Sequence, residues 1–216
     1  MKKMKLFAGI LAFGSLWGFS ECIIGSTLRD AGLPAGSIMT GLFAIILMTM
    51  SRMFYKQRGM QLGMGLVAGA LRLFNPFGGC FICSAIAILA EGAIFELIWY
   101  GLSLDLKELN TITMKSSIGI LTAYVIYVGG YIITQILTPI ISSAGFYLEN
   151  LIVFLPQIFA SGLLAAILGG ITVTATLQLR EIDITIKDRL YYPATIGISI
   201  FCWLIVIANT LIILSS

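Results

Sequence analysis

Glu21, Arg72 and Glu91 sit inside runs that are otherwise apolar, and they are the residues from which chemistry is expected. A charged group near a bilayer centre costs about 2.5–3.5 kcal/mol on insertion scales, so such groups usually face a protein interior or a cavity and mark function. At about 1.5 Å per helical residue, Glu21 lies roughly 6 Å inside the point where the first run ends, near Gly25. Arg72, four residues before Pro76, lies at nearly the same depth, so the two can pair and neutralise each other. Glu91 lies deeper and is a second possible partner for Arg72. At about 100° per residue, Cys80, Ser84, Ala87 and Glu91 share one helix face, while Glu96 points the other way. Tyr124, Tyr127, Tyr131 and Gln135 form another stripe, and Gln157 begins the following run. These groups gather in one half of the bundle, as a pocket open at that end requires. The competing reading is that they only glue helices together.

Histidine is absent, which removes the commonest metal ligand and proton shuttle, and with it Ser-His-Asp catalysis and HExxH zinc sites. The chain also lacks a GxxxxGK[ST] phosphate loop, so any ATP-driven step needs other subunits. The four cysteines, Cys22, Cys80, Cys83 and Cys202, all lie in apolar runs and read first as buried, reduced thiols. Cys80-Phe81-Ile82-Cys83 is nonetheless a C-x-x-C at a helix start, the spacing of a redox pair.

The elements that position these residues are helices in a membrane. Of 216 residues, 59% are hydrophobic and 11% charged, with a mean hydropathy of +1.02. A soluble domain of this length cannot cover so much apolar surface. The net charge of +3 comes from Lys and Arg scattered between apolar runs, which speaks for topology rather than a nucleic-acid partner. The expected fold is an all-α polytopic bundle of six to seven transmembrane helices, in one domain over 1–216. The runs are about 6–25, 34–54, 60–75, 80–102, 115–138, 156–178 and 193–214, the third short and glycine-rich. Its alternative is a pair of half-spanning helices over 60–102. The basic start and first run are read as a retained helix, because no small-x-small cleavage site follows.

With seven spans, eleven of the thirteen basic residues, all but Arg29 and Arg72, fall on one side. That places the N-terminus in the cytoplasm and the C-terminus outside. Residues 144–155 suggest an interfacial helix ending at Pro156, which suits a helix's first turn. Residues 180–189 alternate with the period of a strand but read as a solvated connection. In the first span Ala8, Ala12 and Ser15 make a small-residue strip at i, i+4, i+7, which allows close approach of another helix.

Taken together, the chain resembles the substrate-binding S components of energy-coupling factor (ECF) transporters, membrane subunits for uptake of vitamins and other trace nutrients in bacteria and archaea. The likeness rests on the length, the Ala8 and Ala12 pair, and GLVAGALRLFNPFGG leading into AIAILAEGAIFELIW, and it covers roughly residues 5–140. It implies that Ala8 and Ala12, with Ser15 on the same strip, dock on a T component, and that Arg72, Asn75, Glu91, Tyr131 and Gln135 line the substrate pocket. Glu21 and Ser84 join that pocket from the depth and face arguments. The loop after the first span, residues 26–33, would close over the substrate. The chain departs from the family in having seven runs rather than six, and it lacks the Met-His start of the cobalt and nickel members. The expectation is a non-enzymatic binder of a small water-soluble nutrient in a cell membrane, with a T component and ATPase subunits as partners and no cofactor. Two alternatives stand beside it: a stand-alone proton- or ion-coupled carrier using Glu91, and a redox or assembly protein using Cys80 and Cys83.

Overall fold

The computed structural model describes residues 2–75, 80–101, 109–141, 148–179 and 188–215. Seven helices occupy them: α1 (Lys2–Asp30), α2 (Ala35–Phe54), α3 (Met60–Leu73), α4 (Phe81–Gly101), α5 (Ile112–Ile141), α6 (Leu148–Gln178) and α7 (Asp188–Ser215). No strand occurs among the described residues. All but α3 are long and apolar enough to cross a membrane, which agrees with a polytopic membrane bundle. Large apolar side chains left outside the bundle fit the same setting. On α6, Leu163, Ile167 and Ile171 repeat every fourth residue and are each about 60% exposed, a face that hydrocarbon rather than water would cover.

Helix α3 is where the expected span falls short. Its 14 residues rise about 21 Å, against roughly 30 Å of hydrocarbon. It is still a full member of the bundle, running parallel to α1. Ile10 meets Gly63, Gly14 meets Val67, and Gly18 meets Leu71, a constant offset along both helices. A Cβ added at Gly14 would stand 2.7 Å from Val67 Cβ, and one at Gly18 2.9 Å from Leu71 Cβ. Only glycine permits this approach, so the backbones pack as closely as small residues allow. On the other side α3 runs antiparallel to α4, with Gly65 against Ile88 and Gly69 against Ala85.

Helix α2 is wound unevenly: Met39–Ala44 form a π turn between two α-helical pieces. Helices α5 and α6 form an antiparallel pair, with Gly119 against Gly169 and Gly162 against Tyr124 and Val128. The dense middle of the bundle holds Trp17, Met48, Met60, Met64, Phe95 and Trp99, all fully buried.

Helix α7 closes against α1 and corrects one expectation. Tyr191 donates to the Lys5 carbonyl at 2.8 Å, and Trp203 Nε1 donates to Ser15 Oγ at 3.1 Å. Ala8, Ala12 and Ser15, on that side of α1, are 8%, 4% and 0% exposed. The strip does bring a helix close, but the helix is the chain's own α7. As an open docking face for another subunit it is already covered.

Three further expectations shift. Helix α1 continues to Asp30, so the loop after it is shorter than residues 26–33. Pro156 lies inside α6, which is continuous from Leu148, so there is no separate interfacial helix over the described part of 144–155. A proline is tolerated within a membrane helix because neighbouring groups satisfy the freed carbonyl. The alternating stretch 180–187 lies outside the described residues.

Candidate functional site

At the end of the bundle away from the N-terminus, α1, α2, α4, α5 and α6 stand apart around a hollow of about 510 Å³. That is the size of a small-ligand pocket. The last turns of α1 bring Glu21, Gly25 and Arg29 to its wall, and the start of α2 brings Ser37 and Thr40. Helix α4 contributes Ser84, Ala87 and Glu91 of the face expected from its spacing, together with Cys83 and Ile88, while Cys80 of that face is not on the wall. Helix α5 contributes Tyr127, Tyr131, Thr134 and Gln135, and α6 contributes Phe154, Gln157 and Ser161.

Glu91 lies at the inner limit of this wall, eight residues below Cys83, or about 12 Å by helical rise, and is 5% exposed. Its Oε1 accepts a hydrogen bond from Thr40 Oγ1 at 2.6 Å. Its Oε2 has no hydrogen-bond partner among the described residues. Buried polar atoms are nearly always satisfied, so an enclosed carboxylate oxygen without a donor, on a residue of the hollow's wall, is an unmet acceptor beside that space. The π turn of α2 serves this corner. It carries Thr40 to Glu91, while the carbonyl of Gly41 accepts from Thr172 of α6 at 2.8 Å. Such turns recur at functional sites.

Glu21 accepts from Trp17 Nε1 at 3.3 Å, one turn back on α1. The rings of Tyr127 and Tyr131 lie 4.6 Å apart, tilted by 32°. Tyr131 reaches across to α2 at Gly36, where any Cβ would collide with its hydroxyl. The glycine therefore lets the phenol cross the mouth of the hollow.

Of the residues expected to bind substrate, Glu21, Ser84, Glu91, Tyr131 and Gln135 meet at this one wall. Arg72 and Asn75 do not line it. Both are 1% exposed, and Arg72 donates to the Asn75 carbonyl at 2.7 Å. Asn75 Nδ2 in turn lies 3.5 Å from the Cys22 carbonyl. They close the C-terminal end of α3, where a cation and its donors suit the free carbonyls. The depth of Arg72 was inferable from helical rise, but α3 packs along α1 and α4 on a side that the hollow does not reach. Glu91, the second partner expected for Arg72, turns instead to Thr40.

Several wall residues were not singled out as binding residues: Arg29, Ser37, Thr40, Thr134 and Ser161. Arg29 carried a signal, since it stands apart from the other basic residues. The hydroxyls carried none, being ordinary in membrane helices. The cysteines divide. Cys22 and Cys202 are buried free thiols as expected, whereas Cys80 and Cys83 form a disulfide, with Cα atoms 5.2 Å apart. Cys80 is exposed at the start of α4, and Cys83 is on the wall of the hollow.

The opposite end of α4 is built differently. Glu96 accepts from the backbone N–H groups of Gly59 and Leu62, the latter at 3.2 Å, and so caps the start of α3. Arg52 lies over the ring of Tyr100 at 3.9 Å. Among the described residues no group of three or more His, Cys, Asp or Glu side chains is placed to hold a metal ion.

No protein-family model matches the chain, and no curated protein or solved structure matches it either.

Proposed function

We propose that this protein is a substrate-binding membrane subunit for a small water-soluble nutrient, of the kind that ECF-type uptake transporters use. The observation that carries this is the hollow of about 510 Å³ with a buried, unsatisfied carboxylate oxygen at its inner limit. Hydroxyl, amide and indole atoms in the packed core are also left without partners, but a carboxyl group is the costliest of these to leave so, and this one belongs to the hollow's wall. In this reading the hollow faces the cell exterior, because the basic residues gather at the other end. Substrate enters past Arg29 and Tyr131 and is held along α4 and α5. ATP-driven release inward depends on a T component and ATPase subunits. Their contact lies elsewhere than Ala8, Ala12 and Ser15 while α7 covers that strip.

The same carboxylate favours one other reading, a proton- or ion-coupled carrier with Glu91 as the titrating group. The two separate cleanly. A binding subunit retains a small molecule through purification, identified by mass spectrometry of the denatured protein, and does not transport when reconstituted alone. A carrier moves substrate alone in vesicles and loses that activity in Glu91→Gln. Transport by the isolated chain would overturn the binding-subunit reading.

A further inference from the structure

The charges around the hollow are not evenly placed. Two carboxylates, Glu21 and Glu91, belong to its wall, and the basic side chain there is Arg29, which is exposed at the end of α1. The inner part is therefore acidic, and its remaining polar groups are hydroxyls and amides that accept as readily as they donate. The one buried atom there without a partner, Glu91 Oε2, is an acceptor. A carboxylate in such surroundings binds best to a charged donor, since a charge-assisted hydrogen bond is about twice as strong as a neutral one. Tyr127 and Tyr131 stand on the same wall, and tyrosine faces attract cations. Past Arg29, an anionic head would meet two acidic side chains and no further basic one along the wall.

From this we infer that the hollow takes a small organic cation, an aromatic or heteroaromatic compound bearing a protonated amine. The ammonium pairs with the Glu91 carboxyl group, and the ring lies against Tyr127 and Tyr131. This rests on the substrate-binding reading above and adds the chemical class. Any acidic group on the same molecule belongs at the Arg29 end.

The test uses three probes of one shape and different charge: benzylamine, benzyl alcohol and benzoate. Each is titrated into the purified full-length protein in detergent at neutral pH, with binding followed by calorimetry at the millimolar concentrations that suit ligands of about eight heavy atoms. Benzylamine is expected to bind at least about tenfold more tightly than benzyl alcohol, with benzoate weakest. Glu91→Gln should bring benzylamine down to the level of the alcohol, and Glu96→Gln, at the opposite end of α4, should leave the preference intact. Equal binding of amine and alcohol, or a preference for benzoate, overturns the cationic class on the wild-type protein alone. Displacement of benzylamine by sodium chloride, but not by the same concentration of choline chloride, assigns Glu91 to an inorganic cation and also overturns it. Silence from all three probes overturns the class as well. The substrate-binding reading is then judged separately, by the molecule that co-purifies.

Discussion

Glu91 and Glu96 lie five residues apart on one helix and meet opposite circumstances. Glu96 is spent on structure, its oxygens taken by the N–H groups that open α3. A helix start leaves such donors unpaired and favours negative charge, so the carboxylate suits it twice over. Glu91 has one oxygen engaged by Thr40 and one with nothing to accept from. Both are acidic groups in apolar sequence, and only their neighbours tell a structural charge from a functional one. The packing around them follows suit. Near Glu91 five helices stand apart, whereas α1, α3 and α4 along α3 are drawn together by glycines.

The contrast can be broken most sharply at Glu91. Replacing it by Gln removes the charge and keeps the shape. A hydrogen bond to a charged group is worth about 1.5–3 kcal/mol, so affinity for the co-purifying ligand should fall about 10- to 100-fold in calorimetry. The melting temperature should hold. Gly18→Leu attacks the other region, forcing a side chain against Leu71 and Ala68. Overpacking of this kind costs about 1–3 kcal/mol, read as a lowered midpoint in thermal unfolding in detergent. Glu96→Met and Glu91→Met should have opposite signs in the same assay. The first strips the cap from α3 and destabilises by about 1–2 kcal/mol, while the second removes an unsatisfied polar atom and stabilises while abolishing binding. The smallest effect belongs to Ser15→Ala. It removes the acceptor for Trp203 and should cost about 0.6 kcal/mol, the average for hydrogen bonds between membrane helices. A measurably larger loss would mean that α7 depends on that bond more than on packing.

Much of this arrangement was legible along each helix and little of it between helices. The face of α4 with Cys80, Ser84, Ala87 and Glu91 and the stripe of Tyr124, Tyr127, Tyr131 and Gln135 follow from the angle per residue. All of these but Cys80 and Tyr124 reach the hollow. Depth followed from the rise, which correctly set Arg72 near the end of α3. Neither quantity says which helix lies beside which, and so Arg72 and Asn75 were assigned to a pocket that they stand behind. The Ala8, Ala12 and Ser15 strip was recognisable as a close-approach surface, but small residues do not say whose helix approaches. The short extent of α3 was foreshadowed by its glycines and the Asn75-Pro76 break. The π turn left no trace, because Met39–Ala44 has the composition of any buried helix.

That turn has a consequence for how the binding wall can change. A π turn accommodates one residue more than regular winding needs. Shedding the surplus by a single-residue deletion between 39 and 44 would keep the helix whole. Everything upstream, from Pro34, would keep the face it already presents, while Thr40, which lies inside the turn, would lose the placement that brings its hydroxyl to Glu91. The reach of one hydroxyl to the acid at the bottom of the hollow thus hangs on a single surplus amide in the winding of α2.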